Sequence, residues 1–283
     1  MGSKTKIDWC DATWNPVTGC LHGCEYCYAR RIATRFGGAA IAIANEEGYA
    51  EYGGTTCADG TCHDLTSPEV DYGRTGKAAP YPFYFDPTFH RYKLDEPKRW
   101  KKPRTIFVCS MADLFGDWVP DEWIAEVFKA CDAATRHRYL FLTKNPARYE
   151  KITALMPTWE ETYLEKSRPV MMFGASATDD AMMAVAYKSN AEWVSVEPIL
   201  EPIEPEWFIS SSGSNGDYST FRRWEWVVIG AETGKSKHRT VPNKEWVEEI
   251  AQVCKENGTP VFMKESLRPI MGDDFRQELP CED

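Results

Sequence analysis

Gly19-Cys-Leu-His-Gly-Cys-Glu-Tyr-Cys-Tyr28 is the most informative stretch of the sequence, because it holds three cysteines with C-x3-C-x2-C spacing, Cys20, Cys24 and Cys27. Three thiolates on one tight loop can bind three irons of a 4Fe-4S cluster, whose full thiolate set would be four. If no fourth protein thiolate closes the site, one iron stays open to bind and activate a small molecule. The spacing therefore predicts a reactive cluster.

Two other interpretations of the three cysteines stay open. Gly19 and Gly23 give the backbone the freedom to fold around a cluster, but the loop could also hold a structural zinc ion, with His22 or a distant cysteine as fourth ligand. Zinc sites usually come as two separated halves, and only one such half is evident. The third alternative is a set of unligated thiols. The cluster is the favoured interpretation.

The aromatic residue before the third cysteine, Tyr26, completes a C-x3-C-x-aromatic-C pattern that resembles the radical S-adenosylmethionine (SAM) superfamily. The resemblance implies that the three cysteines bind the cluster, that SAM chelates the open iron, and that Tyr26 packs near the adenine. It also implies reductive cleavage of SAM to a 5′-deoxyadenosyl radical, which abstracts hydrogen from a substrate. A flavodoxin-like or ferredoxin-like reductant would supply the electron.

The composition is typical of one large α/β domain covering residues 1–283, with 43% hydrophobic residues. Barrels of ~250 residues commonly form one unit. No apolar run reaches the roughly 18 residues of a membrane helix, so we expect a cytoplasmic protein without a membrane partner. Ten cysteines in that compartment indicate metal ligands and buried thiols rather than a disulfide framework.

Short apolar runs alternate with helical patterns from Thr105 onwards, roughly thirty residues apart, the size of a βα unit. Such runs predict parallel strands covered on both faces. A further short strand at Val17-Thr18 would bring the total to about seven. The predicted fold class is α/β, a (β/α) TIM-like barrel, complete or partial, with about six or seven parallel strands. The six runs are Ile106–Ser110, Tyr139–Thr143, Val170–Ser176, Trp193–Glu197, Trp226–Glu232 and Val261–Lys264.

Polar residues follow each of these runs, and in a parallel barrel the carboxyl ends of the strands converge on one mouth, where catalytic groups gather. We predict catalytic roles for Asp113, Lys144 and Glu197. Cofactor binding is predicted, besides Tyr26, for Ser110, Ser176, Glu232 and Lys264.

Gly230-Ala-Glu232 resembles the Gly-Gly-Glu element with which radical SAM enzymes hold the amino group of SAM. That element normally follows the second strand, whereas this one follows a late strand. A contact with the substrate is an equal alternative for Glu232.

The net charge of −10 gives the whole chain no general affinity for nucleic acid. The stretch from Arg91 to Arg104 is nevertheless basic, with Tyr92 and Trp100 interleaved, and such a pattern can bind a phosphate backbone and stack on a base. A solvated connector is the favoured alternative. A nucleotide or nucleic acid base is the predicted substrate.

An insertion at about residues 37–102 interrupts the barrel pattern. It contains Cys57, Cys62 and His63 with C-x4-C-H spacing, which predicts a possible second metal or auxiliary cluster. Two thiols and one imidazole are an incomplete ligand set for either.

Several segments resemble a narrower family of unknown function that is common in phage genomes and carries a three-cysteine motif. Its members often have a longer gap between the first two cysteines. Two rival functions remain: a zinc-stabilised nucleic-acid-binding or adaptor protein without catalysis, and a protein that uses its cluster structurally or as a sensor. The resembling segments are Asp11–Cys20, Ser110–Phe115, Leu142–Pro146, Ser195–Pro198 and Gly230–Gly234.

Overall fold

The strands of the chain are short and apolar, as the hydrophobic runs predict. The structure, a computed structural model, describes residues 5–37, 62–67, 79–152, 168–209, 224–233 and 239–280. The strands in these ranges are β1 Ala12–Trp14, β2 Val17–Thr18, β3 His63–Leu65, β4 Thr88–His90, β5 Thr105–Val108, β6 Arg138–Thr143, β7 Val170–Ala177, β8 Trp193–Val196, β9 Trp226–Ile229 and β10 Val261–Met263.

Helices follow most of the strands. Asp179 begins one of them, because its side-chain oxygen accepts the Met182 N–H at 2.8 Å. The last long helix ends just before Asn257-Gly258, where Gly258 has a φ of +66°. The α-helices in the described ranges are α1 Tyr28–Phe36, α2 Glu96–Arg99, α3 Asp121–Asp132, α4 Tyr149–Ile152, α5 Asp180–Lys188, α6 Lys244–Glu256 and α7 Arg268–Met271.

The larger sheet has seven strands in the order β1-β5-β6-β7-β8-β9-β10. The pairs β1–β5, β5–β6, β7–β8, β8–β9 and β9–β10 are parallel, for example with Trp14 opposite Val108 and Met263 opposite Ile229. All six hydrophobic runs named above form strands of this sheet. The predicted fold class is therefore confirmed: the chain is α/β, with the parallel strands of a partial (β/α) barrel.

The predicted strand at Val17-Thr18 is not part of that sheet, and this prediction was wrong. The first barrel strand is β1, and Val17 and Thr18 pair antiparallel with β4 in a separate three-stranded sheet, β2-β4-β3. Pro16 explains the difference, because proline has no N–H to continue a central ladder. The carbonyl of Pro16 instead accepts the His90 N–H at 2.7 Å.

Contacts within the chain divide it into two compact units. Unit 1 consists of residues 1–6, 10–141 and 151–171, and unit 2 consists of residues 7–9, 142–150 and 172–283. The boundaries at 141/142 and 171/172 fall inside β6 and β7. The predicted single domain stays a prediction.

The core of unit 1 is aromatic. Phe115, Phe128 and Phe141 contact one another, with the centroids of Phe128 and Phe141 5.6 Å apart. In the three-stranded sheet, His90 is fully buried and its ring nitrogens bond to Thr18 Oγ1 at 2.8 Å and Tyr92 OH at 3.0 Å. Burial lowers the pKa of His90 to about 2, with a smaller contribution from the positive charge of Lys93. The ring is therefore neutral.

The core of unit 2 is built on three tryptophans. Trp9 contacts the edges of Trp193 and Trp226, with ring centroids 5.8 and 5.7 Å away, and Trp193 and Trp226 lie 5.2 Å from each other. Gly174 makes room for this cluster, because a Cβ there would lie 2.2 Å from the Trp193 ring.

None of the helices in the described ranges combines the length and the apolar character that a membrane span requires.

Candidate functional site

The cysteine loop, residues 19–27, is held by backbone hydrogen bonds within unit 1. The Gly19 N–H donates to the carbonyl of Met111 at 2.9 Å, and the Cys20 N–H donates to that of Phe85 at 3.1 Å. Gly19 also forms an isolated parallel bridge with Ala112. Because Met111 and Ala112 follow β5, the neighbour of β1, the loop lies where two adjacent parallel strands end. Active sites of (β/α) barrels lie at this edge.

Two glycines shape the loop for different reasons. Gly19 has a φ of +87°, and a Cβ at this position would lie 2.1 Å from the carbonyl oxygen of Asp86. Gly23 has a φ of +73° but open space around it. A positive φ is readily adopted only by glycine. Gly19 is therefore required by both conformation and space, and Gly23 by conformation alone.

The three thiols of the loop are free and partly exposed. Cys27 is the N-cap of α1, and its Sγ accepts the Arg30 N–H at 3.3 Å. Cys27 therefore lies at a helix N-terminus, where the backbone dipole favours negative charge. The pKa of Cys20 is raised to about 12, mainly by burial and also by negative charge on Asp113, Cys24 and Cys27, against a backbone hydrogen bond from His22 that lowers it. The sulfurs therefore lie close enough to influence one another's charge.

His22, inside the cysteine loop, is paired with a residue that the sequence predicts to be catalytic. Its Nε2 lies 2.7 Å from Asp113 Oδ2, and its ring meets the Trp118 ring edge-on with centroids 4.8 Å apart. The other oxygen of Asp113 accepts the Phe115 N–H at 3.0 Å. Asp113 is only 5% exposed. One oxygen thus contacts His22 in the loop, and the other fixes the carboxylate to its own turn.

Ser110, for which the sequence predicts cofactor binding, lies beside the loop. Its hydroxyl donates to Asn15 Oδ1 at 3.1 Å, and its carbonyl accepts the Tyr28 hydroxyl at 2.6 Å. The preceding residue, Cys109, has a φ of +57°, uncommon for a residue other than glycine and often found at functional sites. Tyr26 is partly buried within the loop. The roles of Ser110 and Tyr26 toward SAM stay predictions.

The donor set of the loop is three free thiols. In a 4Fe-4S cluster each thiolate binds its own iron, so three thiols on one loop are suitable donors for three irons. Within the described ranges, no group of three or more histidine, cysteine, aspartate or glutamate side chains converges as the ligands of one metal ion do. The assignment of Cys20, Cys24 and Cys27 to a cluster stays a prediction.

In unit 2, the predicted residues Glu197 and Lys264 form an ion pair across the end of β9. Glu197 follows β8 and Lys264 follows β10, and their side chains are 25% and 22% exposed. Gly230 follows the strand between them, and a Cβ there would lie 3.0 Å from Glu197 Cγ and 3.1 Å from Lys264 Cδ. The glycine of the Gly230-Ala-Glu232 element therefore makes room for the ion pair.

Ser195, two residues before Glu197, has a buried hydroxyl and was not among the site residues predicted from the sequence. Side chains alternate along a strand, so Trp193, Ser195 and Glu197 share one side of β8. Ser195 is 1% exposed, and its Oγ has no hydrogen-bond partner among the described residues. Its register partner on β7 is the predicted Ser176, 5% exposed. Two serine hydroxyls thus lie between the tryptophan cluster and the ion pair.

Two further predicted residues lie at strand ends of unit 2. Glu232 is partly buried, and its Oε2 accepts the Thr240 N–H at 3.0 Å. Lys144 directly follows β6 and is also partly buried. The roles predicted for both stay predictions.

The predicted second metal site loses one of its ligands. Cys62 is disulfide-bonded and therefore has no thiolate to offer a metal, and Cys57 lies outside the described residues. The His63 ring stacks on Phe83 with centroids 3.6 Å apart. Expecting only metal ligands and buried thiols was wrong for Cys62, although seven other described cysteines are free.

Part of the basic stretch is committed to structure in unit 1. Arg91 bonds to both oxygens of Asp64, at 2.7 to 2.9 Å, and forms an ion pair with Glu126. These carboxylates raise the pKa of Arg91, and burial lowers the pKa of Lys93. The contacts of Arg91 favour the connector interpretation over a nucleic-acid interface.

A family profile described as "Protein of unknown function (DUF5131)" matches residues 4–267. The chain belongs to the DUF5131 family. The match agrees with the resemblance to a family of unknown function, and the link between that family and phages stays a prediction.

No curated protein matches this DUF5131 member significantly. Among solved structures, it is similar to a double mutant of spore photoproduct lyase with bound AdoMet and dinucleoside spore photoproduct. The TM-score is 0.47 and the identity 9%, and the similarity covers 93% of this chain and 78% of that one.

Proposed function

We propose that the chain is a radical SAM enzyme. The cysteine loop carries this proposal: three free thiols with C-x3-C-x2-C spacing lie on a glycine-turned loop where two adjacent parallel strands end. Two contacts support the proposal besides the spacing: Cys27 caps a helix, and the His22 ring is engaged by Asp113. Cys20, Cys24 and Cys27 are the proposed cluster ligands.

The cluster and SAM, when bound, would supply the radical chemistry that removes hydrogen from the substrate, and Cys20, Cys24 and Cys27 would hold the cluster. The protein's own residues shape the cysteine loop that would hold the cluster. Gly19 and Gly23 allow the loop to curve, and Asp113 fixes the His22 ring inside it. We assign Asp113 a positioning role, because both of its oxygens accept hydrogen bonds from within unit 1.

In unit 2, we propose that Glu197, Lys264 and the two buried serines bind polar groups of a ligand. Glu197 offers acceptors and Lys264 offers donors, and both are partly exposed at strand ends. The unpartnered Ser195 Oγ supports this proposal, because a buried hydroxyl without a partner costs about 1–3 kcal/mol that a bound polar group or water would offset. A nucleotide or nucleic acid base stays the predicted substrate.

Anaerobic reconstitution with iron and sulfide tests the proposed function. We expect about four irons and four sulfides per chain, an EPR signal after reduction, and 5′-deoxyadenosine when SAM and dithionite are added. Cys24→Ala should lose the intact cluster. The matched control is Cys254→Ala, which removes a buried helix thiol in unit 2 and should keep the cluster.

The rival functions predict different results. About one zinc and no iron in protein purified anaerobically would support the zinc-stabilised adaptor. A normal cluster without SAM binding would support a structural or sensing role. Full iron content in Cys24→Ala would contradict the ligand assignment.

A further inference from the structure

Helix α1 exposes its large residues and buries its small ones. Ala29 and Ala33 are 6% and 0% exposed and pack with Phe85 and Met111. Its bulky apolar side chains are exposed instead, at 44% for Tyr28, 37% for Ile32 and 53% for Phe36. Residues four apart lie on the same side of a helix, so these three form one stripe. A surface helix normally has the opposite arrangement.

The stripe is basic as well as apolar. Helix α1 contains no acidic residue, although the net charge of the whole chain is −10. Two of its arginines, Arg31 and Arg35, flank the stripe at helical spacing, whereas Arg30 is directed to the Cys20 carbonyl and the Phe85 ring. Arg35 lies beside the stripe, with its guanidinium 5.2 Å from the centroid of the Phe36 ring. We call Tyr28, Ile32, Arg35 and Phe36 the α1 face. Its apolar surface with a basic rim matches an acidic protein surface that carries apolar contacts of its own.

The α1 face begins at the proposed cluster. Cys27 is the N-cap of α1, and the Tyr28 hydroxyl reaches the carbonyl of Ser110 beside the cysteine loop. We infer that the α1 face is the docking surface for an acidic one-electron carrier protein that reduces the cluster. This inference rests on the proposed function. In the step, the carrier is oxidised by one electron and the cluster is reduced by one electron, with no bond formed or broken.

A nucleic acid is the less favoured occupant. A polyanion would be drawn to arginines, and bases could stack on Tyr28 or Phe36, but Ile32 in the middle of the face offers nothing to a phosphate or a base. The negative charge of the whole chain opposes a long polyanion. A compact acidic protein can cover the apolar stripe and still pair with the basic rim.

Flavodoxin reduced to its hydroquinone serves as the probe, with reconstituted holoenzyme. We expect Ile32→Glu and Arg35→Glu to weaken flavodoxin binding about tenfold at low salt, through lost apolar contact and through charge repulsion. The rate of cluster reduction by flavodoxin, followed by absorbance, should fall in parallel. Reduction by dithionite, a small reductant that needs no docking surface, should be unchanged.

Val185→Glu is the matched control, because Val185 is 51% exposed on α5 in unit 2 and should leave flavodoxin binding unaffected. Equal flavodoxin binding and reduction by all variants would overturn the inference while leaving the proposed function intact. A large loss of thermal stability in Ile32→Glu would also overturn it, since the face would then be covered by the chain itself. Binding of single-stranded DNA is measured on the same variants. If Ile32→Glu and Arg35→Glu lose DNA binding but keep flavodoxin binding, the α1 face binds nucleic acid and the inference is overturned. Failure of dithionite to reduce any cluster would instead contradict the proposed function.

Discussion

His22 Nε2 lies 2.7 Å from Asp113 Oδ2, which ties the middle of the cysteine loop to the segment that follows β5. Because Asp113 is buried and also accepts the Phe115 N–H, its carboxylate has a fixed orientation in which it can hold the imidazole of His22. The pair contains no sulfur, but it sets the path of the backbone between Cys20 and Cys24.

Replacing Asp113 separates a positioning role from a catalytic one. Asp113→Ala should cost about 1–3 kcal/mol of stability, speed alkylation of the loop cysteines in protein without iron, and lower iron content after reconstitution. Asp113→Asn should retain most iron, because an amide can still hydrogen-bond His22. If Asp113→Ala binds iron normally and loses only turnover, Asp113 is catalytic, as the sequence predicts.

The two glycines of the cysteine loop should differ in their response to alanine. Gly23→Ala should bind iron with a stability loss of about 1–3 kcal/mol, because strain at positive φ is its only penalty. Gly19→Ala should fail to bind iron, because its Cβ would also overlap the carbonyl of Asp86. Iron content and thermal unfolding measure both effects. Equal behaviour of the two variants would show that the close approach of Asp86 is unimportant.

Gly230→Ala should impair function more than stability. Its Cβ would lie about 3.0–3.1 Å from Glu197 and Lys264, whose partly exposed side chains can shift. We expect lower yields of 5′-deoxyadenosine with nearly unchanged thermal unfolding. Gly174→Ala is the contrasting variant, because its Cβ would strike the buried Trp193 ring and should cost about 1–3 kcal/mol of stability. Full activity of Gly230→Ala would contradict the functional roles predicted for Glu197 and Lys264.

His90 should make the fold sensitive to acid. Its folded pKa, about 2, lies below the ordinary value of 6.5, so the unfolded chain binds a proton that the folded chain does not. The stability from a neutral His90 is full above pH 6.5 and falls as the pH drops below that value, by on the order of 1.4 kcal/mol per pH unit.

Thermal unfolding between pH 7 and pH 4 measures this effect. His90→Asn should be less stable at pH 7, because Thr18 and Tyr92 lose their partner, but should show a flatter pH dependence. An unchanged slope in the variant would assign the acid sensitivity to other groups, such as His137, whose pKa is also lowered by burial.

The six barrel strands were predictable because each is a continuous apolar run, which is the pattern of a strand that is buried on both faces. The Val17-Thr18 prediction failed because periodicity cannot show which sheet a two-residue strand joins after Pro16. The cysteine loop was predictable because its chemistry is local in sequence. The His22–Asp113 and Glu197–Lys264 pairs join residues 91 and 67 positions apart, so they depend on strand order.

Trp9 has a consequence for how the chain acquires its fold during synthesis. Its indole is translated before any strand, but its aromatic partners, Trp193 and Trp226, leave the ribosome much later. Contacts between such distant parts of a sequence form slowly. The first tryptophan to emerge is therefore among the last to find its place, and until then it is a hydrophobic surface that chaperones can recognise.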